Sequence, residues 1–343
     1  MKAFQLLEPG VAELTDVDVP EPGPGEVLLK VAGAGVCHSD LHILHADAWK
    51  PLPMTIGHEV SGHVSATGTG VTGWDEGAGA LAYLCWGCGK CRTCASGYEN
   101  YCEAFGRGIV PGPGLGHQGS MAEYVIVPAR FLVPLGDLDP VDSAPLTDAG
   151  LTPYHAVNMA REALAAKATA VVIGVGGLGH MGVQILAATT GSRIIAVDLD
   201  DKKLEHAKQL GASETVKSDE QAAAHILDLT GGRGAEVVFD FVGARPTLDL
   251  AASVIAPHGR IVVVGLAGGS LDFHADGPPT GLPWGAGIVK PYGGTRADLH
   301  DVIALAARGA ISVTVERYPL AEVETAFDRL QLGEVAGRAV LTP

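Results

Sequence analysis

The sequence predicts an α/β chain of two domains, a β-rich first part followed by a doubly wound parallel sheet. Three observations lead there. Up to about residue 150, short alternating or β-branched runs are broken by proline and glycine clusters, the pattern of an all-β domain. From about Lys167, apolar strands alternate with helical stretches, which builds a parallel sheet with helices on both faces. The length, 343 residues, suits roughly two ordinary domains. The expected boundaries are 1–150 for the β-rich domain, 151–289 for the parallel-sheet domain, and 290–343 for a segment that returns to the first.

In the first domain, Pro20 to Gly25 is a turn-rich connector, and Val27–Val31 and Tyr124–Val127 are strands. A cysteine-bearing lobe, about 85–103, leaves this domain as an irregular excursion. In the second domain, Ala170–Ile173 is a fully apolar strand, followed by a glycine turn and a helix to about Ala188. Arg193–Val197 is the next strand, and Lys202–Leu210 a helix stopped by Gly211. Further strands are expected at Glu236–Phe239 and Ile261–Val264, with helices near Ala222–Leu229 and Leu248–Val254. Beyond Lys290, helices at Leu299–Ala307 and Glu322–Leu330 precede a last strand, Arg338–Leu341. No internal repeat or low-complexity tract interrupts the pattern.

The composition narrows the function classes. The chain is 47% hydrophobic and 18% charged, with a net charge of −16 and no block of Lys or Arg. Nucleic acid and anionic membranes are therefore not its expected partners. Met1 to Pro9 lacks the charged start and apolar core of an export signal. The most apolar window, Ala168 to Ala188, carries several glycines and a histidine, and reads as a buried strand plus turn rather than a membrane span. The six cysteines are clustered rather than spread, which points to metal binding in a reducing cytoplasm rather than to disulfides.

Four of those cysteines, Cys88, Cys91, Cys94 and Cys102, form the spacing C-x2-C-x2-C-x7-C. Four thiolates so close can converge on one tetrahedral ion, and an all-sulfur site of this kind is a closed, structural zinc site. An iron–sulfur cluster is the rival, but the ferredoxin run ends C-x3-C-P, whereas here Glu103 follows the fourth cysteine.

Gly174-Val175-Gly176-Gly177-Leu178-Gly179 follows an apolar strand and opens a helix. In that context Gly174 makes the tight turn, Gly176 lets a pyrophosphate approach the backbone, and Gly179 packs helix against strand. The helix start supplies free N–H groups and positive dipole for phosphates. Asp198 ends the next strand, where a carboxylate accepts both hydroxyls of an adenosine ribose and repels a 2′-phosphate. The expected cofactor is NAD rather than NADP. A solvated acid within Asp198–Asp201 is the alternative.

Cys37-His38-Ser39-Asp40 and Gly57-His58-Glu59 form a further group. A thiol and an imidazole alone are too few to close a metal site; a third protein ligand with a labile fourth position makes such a site catalytic. Taken singly, Cys37 and His58 read first as a buried thiol and a satisfied core histidine.

Together these motifs, with Pro145-Leu146-Thr147-Asp148-Ala149-Gly150-Leu151-Thr152, resemble the zinc-dependent medium-chain alcohol dehydrogenases over essentially the whole chain. Bacterial members acting on secondary alcohols are most alike, several carrying an aspartate where Asp148 stands. The resemblance implies a GroES-like catalytic domain, a Rossmann NAD-binding domain, and two zinc ions per chain. It implies Cys37, His58 and Asp148 as catalytic ligands, Asp148 departing from the commoner cysteine. The exchange preserves ligand charge and replaces a soft sulfur by a harder oxygen. A rival arrangement makes Asp148 a helix N-cap and Glu59 the ligand.

The same resemblance makes Ser39 the acceptor of the substrate proton and His42 the relay to solvent, a task suited to imidazole. Glu59 is then a carboxylate beside the metal that tunes it or briefly replaces water. His38, Lys203 and Arg338 match positions at the cofactor's phosphates and ribose, and Thr152 a position against the nicotinamide. Leu84, Cys85, Trp86, Trp284 and Gly293-Gly294 are expected to shape the substrate channel. The implied partners are a small alcohol or ketone and further copies of the chain, as a homodimer or homotetramer. A polyol or amino-acid dehydrogenase of the same family is the runner-up, and a non-catalytic nucleotide-binding protein of the same fold the rival from another class.

Overall fold

The computed structural model describes residues 1–46, 51–272, 274–275 and 281–343. The chain divides into two compact units, Met1–Leu151 with Gly293–Pro343, and Thr152–Tyr292. All six cysteines are free thiols. Among the described residues, no helix is long and apolar enough to cross a membrane.

The first unit is organised by the long strand Glu26–Val36, whose apolar side chains at Val27, Leu29 and Val36 are fully buried. It pairs antiparallel with Glu59–Thr67 on one side and with the C-terminal strand Arg338–Thr342 on the other. The strand Tyr124–Pro128 pairs antiparallel along its first half, from Glu26↔Pro128 to Lys30↔Tyr124. Register then decides what meets at its far end. Gly35 faces Glu59, and Val36 faces Ala339, so Cys37, His58 and Arg338 all emerge at one edge of the sheet. A separate small sheet joins Lys2–Glu8 with Val11–Asp16 and Met54–Thr55.

This unit is not all-β. Cys37 ends the central strand and starts a helix, His38–His45, because the Asp40 carboxylate accepts the Cys37 backbone N–H at 2.8 Å and satisfies an otherwise orphaned donor. A second short helix, Pro140–Ser143, is capped by Asp139 and runs on into a 3-10 turn, Ala144–Thr147.

The second unit is an all-parallel six-stranded sheet. Its order in space is Glu214–Lys217, Arg193–Asp198, Thr169–Ile173, Ala235–Asp240, Ile255–Val263 and Gly287–Val289. That is the doubly wound order in which the first strand lies beside the point where the winding reverses. Thr169–Ile173 is buried along its whole length, which explains its unbroken run of apolar and β-branched residues. The helices Gly179–Thr189, Asp201–Gln209, Ala222–Leu229 and Arg245–Val254 alternate with the strands.

Candidate functional site

The sheet edge in the first unit gathers three donors of different chemistry. Cys37, His58 and Asp148 are 4%, 2% and 8% exposed. Cys37 Sγ lies 3.6 Å from Asp148 Oδ2, and His58 Nε2 lies 3.6 Å from the same oxygen. One ligand atom from each falls within 4.8 Å of the others. A tetrahedral ion bonded at about 2.0–2.3 Å sets its ligands roughly 3.4–3.6 Å apart, so the three side chains fit a zinc ion. Asp148 reaches the edge because the Ala144–Thr147 turn is pinned there, the Val60 N–H donating to Thr147 Oγ1 at 3.3 Å.

His58 is oriented by a residue to which the sequence assigned no role. Asp40 Oδ1 sits 2.9 Å from His58 Nδ1, which leaves Nε2 turned toward Cys37 and Asp148. Such a carboxylate–imidazole pair fixes ring orientation and raises ligand basicity. Burial pushes the His58 pKa down, but the Asp40 charge and hydrogen bonds with Asp148, Asp40 and Cys37 leave it well above its ordinary value. The signal for Asp40 was available: an acid three residues after Cys37, at the start of a helix.

Glu59, fully buried, is held away from this trio. Arg338 Nε reaches its two oxygens at 3.0 and 3.1 Å, Arg338 Nη2 reaches Oε1 at 2.5 Å, and the Ala149 N–H donates to Oε1 at 3.2 Å. Burial pushes the Glu59 carboxyl up to about 7 against the downward pull of Arg338. Gly35 makes room for it, because a Cβ there would lie 1.6 Å from Glu59 Oε2. The sequence assigned Arg338 to the cofactor's phosphates. In the structure it is 2% exposed and lies among the carboxylates, with Nη2 also 2.7 Å from Asp148 Oδ2. Asp148 ends the 3-10 turn Ala144–Thr147, and the next helix begins at Leu151, three residues on, rather than directly after Asp148.

The four-cysteine lobe closes as its spacing demands. Cys88 Sγ is 4.0 Å from Cys94 Sγ, and Cys91 Sγ is 3.9 Å from Cys102 Sγ. Tetrahedral sulfur ligands at about 2.3 Å from zinc stand roughly 3.8 Å apart, so this set also fits. Backbone N–H groups of Cys88, Cys91 and Cys94 point at sulfurs of the same set, at 3.3 to 3.5 Å. Hydrogen bonds from Thr93 and the Cys94 N–H hold the Cys91 thiol down at about 6, whereas burial pushes Cys94 up to about 12. The lobe is fastened to its unit by Glu99, 3% exposed, which pairs with Arg296 at 2.6 Å and Arg130 at 3.6 Å.

In the second unit, Gly174 adopts φ +85°, open to glycine and strained for other residues. A Cβ at Gly176 would meet nothing within 4 Å, leaving open space above the loop, while one at Gly179 would lie 1.8 Å from the Gly174 carbonyl oxygen. The backbone of Gly177 and Leu178 leads into the helix that starts at Gly179. Asp198 is tied to this loop: its Oδ2 accepts the Val175 N–H at 2.7 Å and its Oδ1 the Asp200 N–H at 3.0 Å. Lys203 is half-buried on the following helix, and Thr152 is 7% exposed.

His38 and His42 are exposed on the helix His38–His45, with Ser39 half-buried between them. Of the residues expected to shape a channel, Leu84, Cys85 and Trp86 are all buried, and a Cβ on Gly293 would lie 2.9 Å from Cys85 Sγ. Tyr83 Oη donates to the Gly294 carbonyl at 2.6 Å. Burial pushes the Cys85 thiol far up, which makes it a small hydrophobe rather than a nucleophile. Trp284 belongs to the second unit and is 75% exposed.

Comparison with known proteins covers both units. Residues 23–137 match the model described as the alcohol dehydrogenase GroES-like domain, and residues 177–308 that of the zinc-binding dehydrogenase. The chain is 36% identical to an NAD-dependent alcohol dehydrogenase of Sulfurisphaera tokodaii over 100% of both chains. It is 37% identical to an alcohol dehydrogenase of a Moraxella species over 99% of each. The crystal structure of the alcohol dehydrogenase from Aeropyrum pernix superimposes with a TM-score of 0.92 at 35% identity, covering both chains completely.

Proposed function

The chain belongs to the zinc-dependent medium-chain alcohol dehydrogenases, and on that premise we propose how its own residues divide the reaction. It is an NAD-dependent oxidoreductase that interconverts a small alcohol with its ketone or aldehyde. The observation behind the site is the buried convergence of Cys37, His58 and Asp148, each with one ligand atom within 4.8 Å of the others. Zinc in such a site supplies Lewis acidity, polarising the substrate's hydroxyl so that its proton leaves near neutral pH. Cys37 and Asp148 each bring one negative charge to that ion, and Asp40 keeps His58 Nε2 aimed at it.

Ser39 Oγ takes the proton. Ser39 and His42 stand three residues apart on one helix and are therefore neighbours on its surface. The half-buried hydroxyl hands the proton to an exposed imidazole, which releases it to water. NAD, when bound, is the hydride acceptor. The loop Gly174–Gly179 holds its pyrophosphate, Asp198 its adenosine ribose with Lys203 alongside, His38 its phosphates, and Thr152 its nicotinamide ring. Asp198 is already set at the C-terminal end of its strand and bonded to the loop.

Secondary alcohols are the proposed substrate class, since an aspartate in the third ligand position is shared with family members that act on them. We further assign the enzyme to the cytoplasm as a homodimer or homotetramer; six free thiols suit a reducing compartment. The test is NADH formation over a panel of primary, secondary and polyol alcohols, repeated with NADP. The expected result is turnover of a simple alcohol, with NAD preferred at least about 100-fold in kcat/KM, roughly 2.7 kcal/mol of discrimination. Equal turnover with both cofactors contradicts the role of Asp198, and absence of turnover throughout contradicts the activity.

A further inference from the structure

Two buried carboxylates, Glu59 and Asp148, lie close to the same cation site, and one guanidinium touches both. Arg338 Nη2 is 2.5 Å from Glu59 Oε1 and 2.7 Å from Asp148 Oδ2, while its Nε straddles both oxygens of Glu59 at 3.0 and 3.1 Å. We propose that Arg338 is a positioning residue that assigns the two carboxylates their separate tasks, holding Asp148 as a metal ligand and Glu59 off the metal. The proposal rests on the reading of Cys37, His58 and Asp148 as ligands.

The physical case comes from the hydrogen-bond inventory. Either carboxylate offers an oxygen donor that suits zinc at about 2.0–2.2 Å. Glu59 adjoins the ligand His58 in sequence, so the backbone alone does not keep it from the ion. Arg338 Nε, Arg338 Nη2 and the Ala149 N–H occupy its oxygens, and the missing Cβ of Gly35 leaves the space in which the carboxylate lies. The same Nη2 anchors Asp148 through Oδ2, the oxygen that faces Cys37 and His58. A planar fork fixes both contacts at once, which an ammonium cannot do. With Arg338 removed, Glu59 loses the donors that fix both its oxygens, and an ion held by Cys37, His58 and Asp148 would be the group left to bind a freed carboxylate.

The experiment keeps zinc in the four-cysteine lobe and loads cobalt(II) at Cys37, His58 and Asp148, where visible ligand-field absorption reports coordination number. In Arg338→Gln the expected band weakens as Glu59 joins the ion, and a chelator removes the cobalt about 10- to 100-fold faster, the range for loss of a residue that orients a ligand. Adding Glu59→Gln to that variant returns the band toward its parental intensity, because no second carboxylate is left to bind; a purely structural role does not give this reversal. Arg338→Lys shows the same change in smaller measure, and it carries the test if Arg338→Gln does not fold. Parental band and release rate in both single variants, or a weakened band that Glu59→Gln does not restore, overturns the proposal. If Cys37→Ser leaves the parental cobalt spectrum unchanged, the ligand reading itself is wrong and the assignment to Arg338 falls with it.

Discussion

Asp40 sets the orientation of His58 and, through its other oxygen, the start of the helix that carries Ser39. One side chain therefore joins the proposed metal ligand His58 to the helix of the proposed proton acceptor Ser39. Ser39→Ala is expected to lower kcat by about 10²- to 10⁴-fold, the usual worth of a positioned proton acceptor, with zinc content unchanged. An unaltered kcat contradicts that role. Gly35 is a different kind of requirement, since a methyl group there collides with the Glu59 carboxylate. Gly35→Ala is expected to cost about 1–3 kcal/mol by overpacking and to loosen the catalytic metal, read as a lower Tm and faster loss to a chelator. Wild-type values for both contradict the placement of Glu59. Cys37, His58 and the unusual Asp148 were picked out in the sequence through the family resemblance rather than through local chemistry, since taken singly the first two read as a buried thiol and a core histidine. The place of Arg338 was not: its partner Glu59 is 279 residues away, and only strand register brings them together.

The elements that were legible are those whose pattern comes from burial on both faces. Thr169–Ile173 and its glycine turn could be read directly, and the helix Gly179–Thr189 follows from them. The helix His38–His45 was not legible within a β-rich stretch, since its residues, HSDLHILH, carry little apolar periodicity and it is nucleated by a single carboxylate contact. The short helix Pro140–Ser143 matters in the same way, because it feeds the turn that delivers Asp148. Asp139 Oδ1 accepts the Val141 and Asp142 N–H groups at 2.9 and 3.0 Å. Hydrogen bonding to Asp142, with the Arg317 charge nearby, holds the Asp139 carboxyl below the usual range. A lowered pKa in the folded state means that its stabilisation is present above the ordinary carboxylate value, near 4, and is lost as pH falls through the lower folded value. Asp139→Ala is expected to cost about 1 kcal/mol at pH 7, the typical worth of a cap, and the Tm difference from the parent should shrink in acid. A difference that stays constant or grows below pH 4 contradicts this cap.

At the scale of the molecule, the division of labour is between a β-rich unit that presents soft and hard metal donors and a parallel-sheet unit that presents a glycine loop. That the second unit is a parallel sheet with helices alternating between its strands was readable from alternation alone, whereas the order of those strands comes from the structure. The mixed, mainly antiparallel sheet of the first unit was less readable, because its pairings join segments far apart in the chain, such as Glu26–Val36 with Arg338–Thr342. On the proposed reading, the reacting metal is held by Cys37, His58 and Asp148, a set distinct from the four cysteines of the lobe. Zinc analysis of the parent and of Asp148→Ala, each assayed for NADH formation on a turned-over alcohol, separates the two ions. Two zincs per chain in the parent, and one zinc with no turnover in the variant, are expected. Full turnover by a variant that has lost that zinc, or two retained zincs in an inactive one, is incompatible with Asp148 holding the reacting metal.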